Sequence, residues 1–457
     1  MNTDVTTIDI KTKFLDLYKE NIDIIKNGSP DFINQIREKA IKQFEEIGIP
    51  DKKNENYKYT DLKKVFENGY KTYLSPKNIK FEINDIFSCD VPDLNTKVIL
   101  LLNGWYYDRE NLLQELPGGA IIGSFQKASE KYPDLFKKHF AKYADCEKEG
   151  LVALNTAFVK DGIFLYVPKG VVIEKPIQII NVLMDEEEGL TSHRNLYILE
   201  ENSQASVVVC DHTLSAKNFL TNSVAEFYVG QNAQFNYSRI QNEHNGSKQV
   251  SHLFFHQERN SRVTDSTISL HGGLIRNNIS AFLNGEGCEN NTYGLYLTDK
   301  GQHIDNYVYI DHAKPNCVSN QLFKGVLDDF ATGAFNGRIL VRKDAQKTQA
   351  YQANNNILLT DDADIKTRPQ LEIYADDVKC SHGATVGQLD ENALFYMRAR
   401  GINKKEAKLL LMYAFAHEVI QKIKVPALKE RITDLVEKRL RGELSRCNSC
   451  QMHCCNP

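Results

Sequence analysis

The sequence predicts a mainly β protein, with a parallel β-helix core set between an N-terminal helical and mixed α/β region and a C-terminal helical region. Three observations carry this. Helix-spaced apolar residues are confined to the two ends of the chain. From about residue 151 the long helical patterns give way to short β-rich runs, broken near Asn202, Lys217, Asn232, Gly246, Asn260, Gly272, Glu286, Gly301, Asn316, Asp329, Asp344, Asp362 and Asp376. The breaks recur every 12–18 residues. A near-constant period without helices is the mark of stacked coils, two gaps making one rung of about 28 residues.

Residues 1–150 form the first region. Phe14, Leu15, Tyr18, Ile22 and Ile25 recur at helix spacing, as do Ile33, Ile36, Ala40, Ile41, Phe44 and Ile47. Gly48 and Pro50 stop the second helix. Short extended pieces follow. Ile79, Phe81 and Ile83 alternate as a strand does. Val98–Leu102, Asn103-Gly104 and Trp105–Tyr107 read as a hairpin, because Asn-Gly accepts the positive φ of a tight turn.

Residues 151–387 form the core. Each gap holds either two strands and two turns or one long strand and one turn. An antiparallel sandwich is the alternative, since its strands recur at about 8–12 residues. Hairpin dipeptides are few here, Asn245-Gly246 being an exception. Asn354-Asn355-Asn356 also suits a solenoid, in which polar side chains pair between stacked rungs. Residues 388–446 return to helix. Asn403 and Glu406 have capping-box spacing. Ala407–Ile423 is apolar on most of its circumference, which predicts burial. Pro426 suits a helix start, and Leu428, Ile432, Leu435, Val436 and Leu440 then form one stripe. This region holds thirteen Lys/Arg against eight Asp/Glu, either a solvated face or a docking surface for an acidic partner. Residues 447–457 are a Cys-rich tail.

Composition narrows the function. The chain has 457 residues, 42% hydrophobic and 25% charged, with a net charge of −4. That is globular composition, without the positive field that nucleic acid or an anionic membrane would require. The longest apolar run, Leu409–Ala416, is eight residues, far short of a membrane span. No secretory signal is visible at Met1-Asn2-Thr3-Asp4, and six of the ten cysteines are isolated, so the expected setting is a reducing cytoplasm. No phosphate-cradling loop is present, which predicts no nucleotide on this chain. Gly285 and Gly287 are followed by Asn290, not by a third glycine, and His417-Glu418 meets Gln421 where a zinc histidine would stand. A β-helical carbohydrate enzyme would be expected to carry a secretion signal.

The sharpest local feature is Cys380-Ser381-His382, after the strand-like Leu371–Tyr374. On a strand, positions i and i+2 face one side, about 7 Å apart. Thiolate and imidazole there suit iron or zinc. A buried cysteine beside a hydrogen-bonded histidine, or a Cys–His nucleophile pair, are the other readings. In the tail, Cys447 and Cys450 have a metal half-site spacing that His453, Cys454 or Cys455 could complete, unless the tail is simply a flexible terminus.

The run Lys343–Gln352, then Asn356–Leu359, Leu371–Gly387 and Leu394–Ile402 resembles the SufB/SufD family of iron–sulfur cluster assembly proteins. Leu154–Phe158, Val167–Gly170 and Pro176–Gln178 agree. Tyr57–Leu62 is closer to the SufD branch, with Tyr57 where that branch usually has Trp. The resemblance covers the chain to about Leu444. It implies a right-handed parallel β-helix and a non-enzymatic, cytoplasmic subunit. It implies pairing with a SufB-like subunit through the β-helix, or of two copies when alone. A SufC-like ABC ATPase would dock on the C-terminal helices. Cys380 and His382 match the family's Cys-x-His at the SufB-facing end, where a transient, shared iron–sulfur cluster would form. The alternative is a SufB-like scaffold that itself carries the nascent cluster.

Overall fold

The computed structural model describes residues 9–77, 79, 96–215 and 217–443. The expected strand at Ile79, Phe81 and Ile83 lies largely outside them, and the Cys-rich tail lies wholly outside. Consecutive long strands of the core alternate between two sheets. Gly189–Leu199, Phe219–Val229, Lys248–Gln257, Leu274–Leu283, His303–His312, Thr332–Val341 and Asp364–Ile373 belong to an eleven-stranded sheet. Gln204–Thr213, Gln234–Asn242, Arg262–His271, Glu289–Thr298, Val318–Leu327, Gln349–Leu358 and Lys379–Gly387 belong to a ten-stranded one. Neighbours pair in parallel, so the core is a β-solenoid of about seven turns, and the sandwich alternative falls. Each gap in the sequence pattern holds one long strand and one turn. The rung length varies from 26 residues (Lys248↔Leu274) to 32 (Thr332↔Asp364).

The turns explain the sequence breaks. Asn202, Asn232, Asn260, Asn316 and Asp329 have φ of 50–60°, left-handed values that Asn and Asp tolerate better than other side chains. They also stack: Asn232 Nδ2 donates to Asn202 Oδ1 at 2.8 Å, and Asn260 Nδ2 to Asn232 Oδ1 at 3.2 Å. Asn245-Gly246 makes no hairpin, because the strands on either side of it lie in different sheets. Within the Asn354–Asn356 run, Asn355 Nδ2 pairs with Thr385 Oγ1 on the next rung at 2.8 Å. Asn354 and Asn356 instead turn inward and meet the Tyr296 hydroxyl, two rungs back.

The lumen holds apolar and polar side chains from both sheets. Tyr197, Phe227 and Phe255 stack along one column, ring centroids 4.8 and 4.2 Å apart. Phe235 and Tyr237 of the other sheet face them, and further along that sheet Asp211 pairs with Arg239 at 2.7 Å. Burial pushes the carboxyls of Asp265 and Glu243 up to about 8.

Both outer faces are partly covered. Helices Ile10–Glu20, Asp31–Ile47 and Gly150–Phe158 bury Phe14, Phe44 and Leu154 with Leu190, Leu220 and Val250 of the eleven-stranded sheet. Gly48, at φ 73°, ends the second of these helices as expected. The Asn103-Gly104 hairpin forms between Lys97–Leu102 and Trp105–Tyr106, and its first strand also joins the ten-stranded sheet beside Ile177–Leu183. An ion pair with no exposed surface ties this region down: Arg194 meets Glu226 at 2.6 Å. Glu226 also accepts the backbone N–H groups of Ala141, Tyr143 and Ala144. On the other side, Lys404–Ile420 and Pro426–Arg441 pack over Cys210, Ile240, Ile268, Leu295 and Val326 of the ten-stranded sheet. Asn403 caps the first of these helices by accepting from the Glu406 N–H at 2.9 Å. That helix is buried on one face only. It stops at Ile420 and leaves Leu410 41% exposed, because the sheet and helix Pro426–Arg441 bury only the side that carries Leu409, Met412, Ala416 and Ile420. Arg439 clamps the second helix, donating to Leu270 O and to Asp299, both at 2.8 Å.

Two outcomes follow. Glu226→Ala should lower unfolding free energy by about 3–5 kcal/mol, because it leaves a fully buried guanidinium without its counter-ion; urea denaturation measures this. Asp265→Asn should stabilise the protein. The folded chain holds the Asp265 proton up to about pH 8, whereas the unfolded carboxyl loses it near pH 4. The wild-type penalty therefore grows as pH rises from about 4 to 8. Melting temperatures across that range should separate the two proteins progressively.

Candidate functional site

The site begins with the last rung. Asp364–Ile373 and Lys379–Gly387 each end their sheet. Lys379–Gly387 pairs on one side with Gln349–Leu358, in the register Ala350↔Cys380, Gln352↔His382, Asn354↔Ala384 and Asn356↔Val386. Ala350, Gln352, Asn354 and Asn356 are all buried and point into the lumen. Parallel partners share a face, so Cys380 and His382 continue that inward face at the open end. The structure thus brings the two sequence-singled residues together on one strand face.

Their surroundings differ. Cys380 is half-buried and packs on a small apolar cluster that includes Ala345, Ala350 and Ala375. Burial raises its thiol above the ordinary range, and the Ala350 backbone hydrogen bond offsets this only in part. His382 is exposed. The large apolar side chains Tyr351, Ile373 and Val386 also stand exposed on these last strands, as does Tyr374, just past the end of one, at 64%. Among the described residues no three His, Cys, Asp or Glu side chains converge into a metal-holding group. Cys447, Cys450, His453 and Cys454 lie outside the described residues.

Beyond the terminal strand comes helix Glu391–Ala399, capped by Asp390, which accepts from Asn392 N at 2.8 Å. It buries Leu394 but leaves Phe395 74% and Tyr396 60% exposed. Arg400 lies over the Tyr396 ring at 5.1 Å and donates to its hydroxyl. The sequence reading did not single out this aromatic pair, because exposure on a short helix has no local signature. It also missed the lumen residues behind His382. One signal could have found them: Asp265, Thr292, Gln321, Gln352 and His382 recur at about the rung length.

A two-sheet parallel solenoid, partly covered by helices on its flanks and ending in a rung that carries a thiol and an imidazole on its inward face, defines the class of parallel β-solenoid proteins. Comparison with known proteins places the chain more closely. The SUF system FeS cluster assembly SufBD core domain matches residues 182–415, and the SufBD protein N-terminal region matches residues 8–179. The chain belongs to the SufBD family of iron–sulfur cluster assembly proteins. It is 28% identical to the iron–sulfur cluster assembly protein SufD of Escherichia coli, over 88% of this chain and 92% of that one. It is 26% identical to SufD of Bacillus subtilis, over 95% and 99%. A SufBD family protein of Synechocystis is 26% identical over 91% and 90%.

Cys380 should react slowly with iodoacetamide at pH 8, because burial disfavours the thiolate that attacks. Its rate should keep rising at pH values where an ordinary thiol has levelled off. Peptide mass spectrometry across a pH series reads this directly.

Proposed function

We propose that this chain is the non-catalytic, SufD-type subunit of a cytoplasmic iron–sulfur assembly scaffold. Its terminal rung meets a SufB-like subunit, and its C-terminal helices carry a SufC-like ATPase. The observation that supports this best is the last rung itself. A free strand edge is a template for pairing with another chain. Here it is rimmed by exposed apolar side chains, and it presents Cys380 and His382 from the same end. The nascent cluster is cargo, and this end offers it two protein ligands. The partner's surface would supply the rest. The alternative, in which this chain carries the cluster unaided, would need further ligands beside Cys380 and His382.

The C-terminal helices fit the second contact. Phe395 and Tyr396 form an exposed aromatic patch beside Arg398 and Arg400, and aromatic and arginine side chains are the usual anchors of protein interfaces. No helix among the described residues is long and apolar enough to cross a membrane.

Co-expression with SufB-like and SufC-like partners tests the whole reading. His382→Ala should give a complex of normal yield and melting temperature that has lost most of its iron and sulfide, since Ala can neither ligate iron nor relay a proton. Normal iron and sulfide in an intact variant complex would reject the role of His382. Phe395→Asp should reduce ATPase capture in a pull-down by tenfold or more, on the order of a lost interface anchor, while the SufB-like contact persists. Undiminished capture would reject the docking assignment.

A further inference from the structure

We propose that Gln352 is the positioning residue for His382: its amide oxygen accepts one ring N–H of the imidazole and leaves the other ring nitrogen free for iron or a proton. This deepens the function proposed above and rests on it. Asp265, Thr292, Gln321, Gln352 and His382 are successive register partners on five adjacent strands of the ten-stranded sheet. The first four are buried at 0–3% exposure and face the lumen.

At its outer end the row is a pair of stacked amides. Gln352 Nε2 donates to Gln321 Oε1 at 2.7 Å. That nitrogen also lies against Gly337 of the facing sheet, where a Cβ would collide with it, so the glycine leaves a notch for the amide. Gln321 and the notch hold the nitrogen end, and the oxygen of the same amide is free to turn to the last rung. That oxygen is shielded from solvent and has no donor among the described residues. A buried acceptor without a donor is costly. The register partner of Gln352 on the outer side is His382, one strand spacing away, about 4.8 Å. An imidazole N–H at that distance can meet the unpaired oxygen.

The consequence is chemical. A neutral imidazole has one N–H and one lone pair, and the partner of the N–H decides which nitrogen is which. A ring nitrogen bonded to a carbonyl-type oxygen fixes the tautomer, orients the ring and raises the basicity of the other nitrogen. Gln352 would thus present a preset ligand at the open end. Behind it, Gln321 Nε2 is likewise buried without an acceptor, and Thr292 and then Asp265, with its unpaired carboxyl, are the next register partners inward.

Nitrogen-15 spectra of histidine-labelled full-length chain test this, with His382 identified by comparison with His382→Ala. Above the titration of the imidazole, His382 should occupy one tautomer in the wild type. Gln352→Leu should relax it to the mixture of a free imidazole, and Gln352→Glu, which restores an acceptor, should return the single tautomer. Gly337→Ala, which pushes the amide out of its notch, should act like Gln352→Leu and is the second variant should that one not fold. In the reconstituted complex, Gln352→Leu should lower cluster yield about tenfold, with subunit composition unchanged and Gln352→Glu recovering most of it. A wild-type tautomer mixture equal to that of Gln352→Leu overturns the proposal, and so does an undiminished cluster yield in the Gln352→Leu complex. Full cluster content in the His382→Ala complex would instead overturn the functional reading of His382, whatever the spectra show of Gln352.

Discussion

The parallel hydrogen-bond ladder is the constraint from which the rest of the molecule follows. Each strand must lie in register on the strand one rung before it, so residues separated by one rung stack in columns. Runs of like residues form along a column: Tyr197, Phe227 and Phe255 are an apolar run, and Asp265 to His382 a polar run that follows Val207 and Tyr237 in the same column. The ladder has to end somewhere, and its final strand has a free edge. Whatever stands on the inward face of that strand is at once the end of a buried column and a surface group. His382 has both characters, and the proposed role rests on that combination.

Energetically the ends are closed in different ways. The flanking helices bury the outer faces through apolar contact, and they are fixed by a few charged groups whose loss would be severe. Arg194–Glu226 holds the N-terminal region, and Arg439 holds the last helix. Such buried pairs gain little over an apolar substitute but are costly to break. They pin each element at one place on a sheet that would otherwise offer many similar rows. The terminal strand Lys379–Gly387 is exposed along most of its length, which suits an element completed by a partner.

Much of this was legible in the sequence because the turns are chemically marked. Asn202, Asn232, Asn260, Asn316 and Asp329 are the left-handed positions of the solenoid, and the same residues break the sequence pattern. The pairing of Cys380 with His382 on one face followed from their spacing alone. What was hidden depends on registers between rungs of unequal length, 26 to 32 residues. Steps of 27, 29, 31 and 30 residues lead from Asp265 through Thr292, Gln321 and Gln352 to His382, so the row shows in the sequence as an approximate recurrence, but its register does not. Nor could the pattern show that Ala407–Ile423 would be backed on one face only, since an apolar circumference does not say how many surfaces meet it. Asn245-Gly246 misled for a related reason: the dipeptide marks a sharp turn, and only the sheets decide whether the flanking strands pair.

The central claim is that the terminal rung is completed by a partner chain. Amide hydrogen exchange of this chain, alone and in complex with a SufB-like subunit, tests it most directly. Alone, the amides of Lys379–Gly387 that face the open edge should exchange rapidly, while those of Gln349–Leu358, paired on both sides, stay protected. In the complex, the open-edge amides should become protected along the length of the strand. Protection that appears elsewhere, with Lys379–Gly387 exchanging as fast as before, would contradict the account.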